Sequence, residues 1–148
     1  MTDTRYLKPG KSTAVFNGAV RGLTKLGISL LGSRVLIVRG RKTGEPRELP
    51  VNLLPFEGKK YLVAARGETQ WVRNLRVAGE GQLRLGRRTE TFTYRELTDD
   101  EKPALLRSYL KRWAFEVGAF FDGVDAKAPE EKLREIAPGY PVFEIRTR

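Results

Sequence analysis

A short basic segment at residues 40–47 carries the side chains best suited to bind an anion. It reads Gly-Arg-Lys-Thr-Gly-Glu-Pro-Arg, follows an apolar run, and is closed by Pro50. Glycine lets the backbone approach a ligand closely, N–H groups can point at it, and Arg41, Lys42 and Arg47 add positive charge. Because a basic turn between two strands is more often a solvated hairpin, this segment alone leaves both interpretations open.

A second segment, residues 64–76, is typical of a site for a flat ring system. A predicted strand ends at Ala64–Gly67, and a helix is predicted to begin near Gln70. The N-terminus of a helix carries partial positive charge and N–H groups without intrahelical partners. Trp71 offers an apolar plate, Asn74 can hydrogen-bond a polar ring edge, and two arginines add charge. The alternative is a core tryptophan beside solvated arginines.

The composition limits the kinds of partner and of side-chain catalysis that this chain can use. The 148 residues carry a formal net charge of +10, which predicts an anionic partner such as nucleic acid, a membrane surface or a polyanionic small molecule. The chain has neither His nor Cys, so it lacks the commonest general base, the commonest metal ligand and any thiolate. We therefore expect no metal site, a cytoplasmic location, and a bound cofactor as the carrier of any enzymatic chemistry.

The elements that must position these segments are mostly strands. The alternation of apolar and polar residues, with turn residues between the runs, predicts five or six strands, together with three helices that follow the first hairpins. The predicted strands are Val35–Val38, Glu48–Phe56, Lys60–Ala65, Gln82–Leu85, Thr89–Glu96 and Tyr140–Arg146. The predicted helices are Gln70–Ala78, one after a capping box at Thr98–Glu101, and one between Pro129 and Pro138. This order predicts a mainly β protein with peripheral helices, built on a small antiparallel barrel.

The chain is predicted to form a single domain over residues 1–148. Residues 1–12 read as a flexible arm, residues 13–32 as an amphipathic helix broken by glycines, and residues 33–148 as the barrel with its C-terminal helices. The apolar face of residues 13–32 either packs on the core or contacts a membrane surface, which would be the inner face of the cell membrane.

The two segments together resemble the deazaflavin-dependent nitroreductase family. The resemblance rests on Gly-Arg-Lys-Thr-Gly-Glu-Pro-Arg with Pro50, paired with Trp71-Val-Arg-Asn-Leu75, and covers about residues 35–96. It implies a split β-barrel similar to flavin-binding barrels and the deazaflavin coenzyme F420. It also implies an oxidoreductase that passes a hydride from the reduced coenzyme to an electron-poor acceptor, such as a nitroaromatic, a quinone or an enone.

The resemblance further implies which residues hold the coenzyme. The phosphate and oligoglutamate tail would be bound by Arg41, Lys42, Thr43, Gly44 and Arg47. The ring would lie beside Pro50, Val51 and Asn52, and the site would be completed by Ala64, Ala65, Arg66, Gly67, Gln70, Trp71, Val72, Arg73 and Asn74. No residue is singled out as catalytic, because the proton can come from solvent or from a tyrosine.

The chain departs from the family on the substrate side. It is shorter between Ala65 and Trp71 than well-known members, with Arg66-Gly67 in place of a glycine pair. The substrate-side tyrosines of some members have no clear match. By composition alone, Tyr109 and Trp113 are the substrate candidates, together with Phe115, Phe120 and Phe121, although such a stripe is also typical of a core.

Other functions remain open at this level. One is a non-catalytic coenzyme or lipid binder on the same fold, associated with a membrane through residues 13–32. A second is an oxidoreductase that uses flavin mononucleotide (FMN). A third is a nucleic-acid binder using Trp71 and arginines such as Arg84, Arg87 and Arg88, which no recognition motif supports. A small hydrophobic acceptor and a second copy of the chain are the remaining expected partners.

Overall fold

The alternating segments form a barrel of six antiparallel strands. The computed structural model describes residues 33–121 and 123–147, without the side chains of residues 114–117. The strands are β1 (Ser33–Arg39), β2 (Pro46–Phe56), β3 (Lys59–Val63), β4 (Glu80–Leu85), β5 (Arg88–Glu96) and β6 (Val142–Thr147). The helices are α1 (Gln70–Ala78), α2 (Pro103–Val117) and α3 (Glu130–Ile136), with 3-10 turns at Asp99–Glu101, Gly118–Phe121 and Ala137–Gly139.

The barrel closes within one chain. The strands follow the order β1-β2-β3-β6-β5-β4, and β4 returns to pair with β1. All neighbours are antiparallel, so the predicted small antiparallel barrel is confirmed. Closure gives each of the six described strands a neighbour on both sides, although the first halves of β2 and β5 are paired on one side only, and successive side chains alternate between inside and outside.

The inside of the barrel is a hydrophobic core. Buried inward-facing residues come from all six strands: Leu36, Val38, Leu53, Leu62, Leu83, Phe92, Phe143 and Ile145. Val72 and Leu75 of α1 join this core at the end where β1 leaves the barrel and β4 enters it. We call this the α1 end. The opposite end holds the β2–β3 and β4–β5 turns, and we call it the hairpin end.

A second core lies outside the barrel, beneath α2 and α3. Leu54, Tyr61 and Val142 pack there against α2. The predicted capping box is present, since the Thr98 N–H donates to Glu101 Oε1 at 2.9 Å, but it caps the 3-10 turn. The helix α2 begins at Pro103, because proline has no N–H to lose at a first helical position.

The predicted arm at residues 1–12 and the predicted helix at residues 13–32 lie outside the described residues, so both stay predictions. Across residues 33–121 and 123–147, every helix is too short or too polar to cross a membrane.

Candidate active site at the α1 end

The basic segment forms a closed turn between β1 and β2. The Gly40 N–H donates to Glu45 O at 2.8 Å, and the Gly44 N–H donates to Gly40 O at 2.9 Å. Gly44 has a φ of 78°, which favours glycine, and a Cβ at Gly40 would lie 3.3 Å from Glu45 O, so a side chain there would require the turn to shift slightly. The Glu45 N–H donates to Thr43 Oγ1 at 3.2 Å.

These bonds correct one expectation from the sequence. The glycine N–H groups are used inside the turn and do not point at a ligand. Within the described part of the chain, the N–H groups of Lys42 and Thr43 have no acceptor, so only these two backbone donors of the turn remain for an anion.

The two segments singled out in the sequence meet at one contact. Asn74 is buried, and its Oδ1 accepts the Arg41 N–H at 3.1 Å and Arg41 Nη1 at 2.8 Å. The predicted proximity of turn and helix is therefore present in the structure. The sequence suggested that Asn74 would hydrogen-bond the edge of a ligand ring. Its side-chain oxygen instead accepts hydrogen bonds from Arg41, so Asn74 connects α1 to the basic turn.

Positive charge is concentrated around this contact. Lys42, Arg47 and Arg73 are exposed, and none of them forms an ion pair with another described residue. Arg76, one turn further along α1, differs from them. Its guanidinium pairs with Glu96 at 2.7 Å and Glu68 at 2.6 Å, and these partners raise its pKa above the ordinary value.

One wall of the region is the first half of β2. The β2–β3 ladder ends where Leu53 pairs with Leu62, so Pro46–Asn52 continues past β3 toward the basic turn. Along this stretch Val51 faces the barrel interior, while Pro50 and Asn52 face outward. Asn52 Oδ1 accepts Ser33 Oγ at 3.3 Å, which holds the two strands together at this point.

The exit of β3, the strand next to β2, also lies at this end. The Ala64 N–H donates to Pro141 O at 2.9 Å, which extends the contact with the chain entering β6. The Gly67 N–H then donates to Ala64 O at 3.0 Å, and Gly67 has a φ of 83°. Only glycine adopts this left-handed conformation readily, so Arg66-Gly67 forms the tight turn that leads into α1.

Some residues at the start of α1 pack in the barrel core, and others border the candidate site. Trp71 is half-buried, and its ring centroid lies 5.7 Å from that of Phe143. Thr69 is the N-cap residue, and its Oγ1 is buried without a hydrogen-bond partner in the described region. Val72 and Ala64, both predicted to contact the coenzyme, have side chains in the barrel core, so only their backbone atoms can serve a ligand.

The predicted substrate residues on α2 lie in the outer core. Trp113 is fully buried and Tyr109 is 3% exposed, with ring centroids 5.2 Å apart. This placement matches the core alternative and gives neither side chain access to a ligand. Phe120 differs from them, since it is half-buried and its ring lies 5.9 Å from Cζ of Arg66, beside the β3 exit.

Tyr94 is an aromatic neighbour of the site that the sequence patterns did not single out. Its hydroxyl donates to Leu75 O at 3.2 Å, and its ring meets Phe143 edge-on at 5.2 Å. Burial and the nearby Glu96 raise the pKa of Tyr94 above its usual value. Alternation along β5 predicts that Tyr94 shares a face with Phe92, but the contact of Tyr94 with Leu75 of α1 depends on packing that the sequence pattern does not show.

Comparison with known proteins identifies the family. The model of the F420H(2)-dependent quinone reductase family matches residues 15–124. No curated protein matches the chain by sequence.

Solved structures share the fold at low sequence identity. An F420-H2 dependent reductase (FDR-A) has a TM-score of 0.53 and 17% identity, covering 78% of this chain and 94% of that one. A protein described as a domain-swapped dimer has a TM-score of 0.55 and 15% identity, covering 93% and 100%. An FAD-binding protein from Mesorhizobium loti has a TM-score of 0.50 and 15% identity, covering 86% and 88%. These likenesses establish the split-barrel fold.

The family match covers most of the chain and agrees with the resemblance carried by the basic turn and the Trp71–Asn74 segment. The chain belongs to the F420H(2)-dependent quinone reductase family, and it is an oxidoreductase whose cofactor is the deazaflavin F420.

Proposed function

We propose that the α1 end binds F420 between the basic turn, the first half of β2, the β3 exit and the start of α1, and that a quinone is the electron acceptor. The observation that carries this proposal is the pair of hydrogen bonds from Arg41 to Asn74. These bonds hold a cationic turn beside a helix start that presents Trp71, which suits a ligand with an anionic tail and a flat ring.

The residues present fit such a ligand in charge and in shape. The exposed side chains of Lys42, Arg47 and Arg73 have no acidic partner within the described residues, so their charge is available to phosphate and carboxylate groups. In this proposal the half-buried ring of Trp71 would contact the aromatic ring of the ligand, and the N-terminus of α1 would contact the polar edge of that ring.

In this proposal the chain binds and orients, and the cofactor supplies the redox chemistry. When bound, reduced F420 supplies a hydride, and a quinone that takes it together with one proton from solvent leaves as the hydroquinone. Lys42 and Arg47 would hold the anionic tail, and the half-buried Trp71 would offer an apolar face to the ring. Asn74 keeps Arg41 and the turn in place before the ligand arrives, which lowers the entropy lost on binding.

The acceptor side is proposed at Arg66 and Phe120. Their cation–π contact at 5.9 Å joins the β3 exit to the 3-10 turn after α2. A half-buried phenyl ring beside a guanidinium offers an apolar face and a cation, which suit a planar quinone that gains negative charge as it is reduced. The nitroaromatic and enone acceptors predicted from the sequence are alternatives for the same surface.

The binding test is a titration with oxidised F420 beside a titration with FMN. We expect saturable, salt-sensitive binding of F420 and much weaker binding of FMN. An exposed charge pair contributes about 0–1 kcal/mol, so Lys42→Ala should weaken F420 binding by up to about fivefold. The Lys42→Ala/Arg47→Ala variant should weaken it by more than either single change.

The matched control is Arg87→Ala, which removes the same charge from an exposed position at the hairpin end. If Arg87→Ala weakened F420 binding as much as Lys42→Ala, net charge rather than the α1 end would govern binding, and the proposed site would be wrong. Tighter binding of FMN than of F420 would favour the flavin alternative.

The activity test follows oxidation of reduced F420 by absorbance with a quinone, a nitroaromatic and an enone as separate acceptors. We expect the highest kcat/KM with the quinone. Consumption of reduced F420 with the nitroaromatic but not with the quinone would contradict the proposed acceptor while leaving the coenzyme site intact.

A further inference from the structure

A second concave site lies at the hairpin end of the barrel. Its volume is about 140 Å³, whereas a single water molecule needs only about 10–15 Å³ on the same measure. The pocket therefore admits a small organic molecule. It is lined by Arg34, Leu53, Lys60, Leu83, Leu85, Arg88, Glu90, Ile145 and Thr147.

The strand register shows that these residues face the inside of the barrel. Leu36 is an inward core residue, and Arg34 lies two positions before it on β1. Lys60 pairs with Ile145, and Arg88 pairs with Leu85, so both cations share the inward face of their neighbours. The pocket is thus the mouth of the barrel interior, at the opposite end from α1.

The charge of this mouth is unbalanced. Three cations, Arg34, Lys60 and Arg88, face a single carboxylate, Glu90. Lys60 and Arg88 form no ion pair with a described residue. Burial lowers the pKa of Arg34, and Glu90 partly opposes that effect, whereas Lys60, Arg88 and Glu90 are exposed to solvent.

The inward charges lie beside strand stretches that are paired on one side only. Arg34 precedes the β1–β4 ladder, and Arg88 and Glu90 precede the β5–β6 ladder, so these charges also protect short open edges from pairing with another chain. The same pocket is lined by apolar inward residues beside these charges, since Ile145 pairs with Lys60, Leu83 pairs with Glu90, and Leu53 also lines it. Cations next to apolar side chains match a ligand with a negative head and an apolar body.

We propose that the hairpin end of the barrel is a second binding site, which takes a small carboxylate with an apolar body. The carboxylate would lie between Lys60 and Arg88, and the apolar body would rest on Leu53, Leu83 and Ile145. The site is separate from the coenzyme region at the α1 end, so it can be filled while F420 is bound.

The test uses benzoate as the probe, with the full chain and nuclear magnetic resonance detection of methyl groups. We expect saturable binding in the millimolar range, with shifts of the Leu53, Leu83 and Ile145 methyl signals. Benzyl alcohol, which lacks the charge, and inorganic phosphate, which lacks the apolar body, should each bind at least about tenfold more weakly.

Two neighbouring arginines provide a matched pair of variants. Arg88→Gln should weaken benzoate binding at least about fivefold, whereas Arg87→Gln, on the exposed turn, should change it less than about twofold. Lys60→Gln should act like Arg88→Gln. Unfolding midpoints close to that of the unaltered protein would show that these exposed substitutions leave the fold intact.

Three results would overturn the proposal: absence of saturable benzoate binding, equal weakening by Arg87→Gln and Arg88→Gln, or displacement of benzoate by F420. The last result would place benzoate at the α1 end. Failure of F420 to bind, with benzoate binding intact, would contradict the proposed coenzyme site and leave this second site standing.

Discussion

The hydrogen bonds between Arg41 and Asn74 make a quantitative prediction about coenzyme binding. Asn74→Ala removes one acceptor that receives a backbone N–H at 3.1 Å and a guanidinium N–H at 2.8 Å. A neutral hydrogen bond contributes about 0.5–1.5 kcal/mol to stability, and one to a charged group about 1.5–3 kcal/mol. Because Arg41 is only half-buried and water can replace part of this loss, we expect the free energy of unfolding to fall by about 1–3 kcal/mol.

The effect on F420 affinity should be smaller than the sum of the two bonds. The basic turn keeps its own hydrogen bonds from Gly40 to Glu45 and from Gly44 to Gly40, so it stays folded but loses its tether to α1. A loss of about 1.4 kcal/mol corresponds to about tenfold weaker binding of F420. Gln82→Ala, which removes an exposed amide from β4, is the control and should leave the Kd unchanged.

A double-mutant cycle separates two roles for Asn74. If Asn74 acts by holding the turn, Lys42→Ala will weaken F420 binding less in the Asn74→Ala background than in the unaltered protein. If Asn74 binds the coenzyme ring independently, the two effects will add within about 0.3–0.5 kcal/mol. Additive effects would show that Asn74 does not act by holding the basic turn against α1. An unchanged Kd for F420 in a folded Asn74→Ala protein would refute that role as well.

Two further predictions concern stability and the acceptor. Glu144 is buried, and its Oε1 lies 3.1 Å from Lys59 Nζ. Its cationic neighbours lower the pKa of Glu144 to about 2. The contribution of this carboxylate to stability is therefore present above about pH 5 and is lost as the pH falls toward 2. In Glu144→Gln, urea unfolding between pH 5 and 2.5 should therefore depend less on pH than in the control Glu131→Gln; equal pH dependence would contradict this role. Phe120→Ala should raise the KM for a quinone about five- to tenfold without changing the Kd for F420, while Phe56→Ala at the hairpin end should change neither. An unchanged KM would remove Phe120 from the acceptor surface.

Local patterns were sufficient to predict the elements of the barrel. Alternation and turn residues identified all six strands, with ends within two residues of the observed bounds, and α1 spans the predicted Gln70–Ala78. These signals are local, because side-chain alternation and turn conformations depend on neighbours in the chain. The pairing of β3 with β6 and the return of β4 to β1 join distant segments, and no local pattern encodes them.

The structure brings together two of the segments singled out in the sequence, with contacts that the sequence did not predict. The basic turn and α1 do meet, but Asn74 binds Arg41, and the glycine N–H groups close the turn on itself. The aromatic candidates differ in burial, since Trp113 of α2 is buried, whereas Phe120 of the following 3-10 turn is half-buried beside Arg66. Spacing along a helix shows which residues share a face, but which element covers that face depends on packing.

The sequence by itself determined the kind of ligand and the source of the chemistry. A charge of +10 and the basic turn predict an anionic partner, and the absence of His and Cys predicts that a bound cofactor carries the chemistry. The tertiary structure decided where the charge is placed. Closure of the barrel separates Lys42 and Arg47 at the α1 end from Lys60 and Arg88 at the hairpin end. The physical reason is that alternation assigns each residue to one of two faces, whereas the register between strands decides which faces meet.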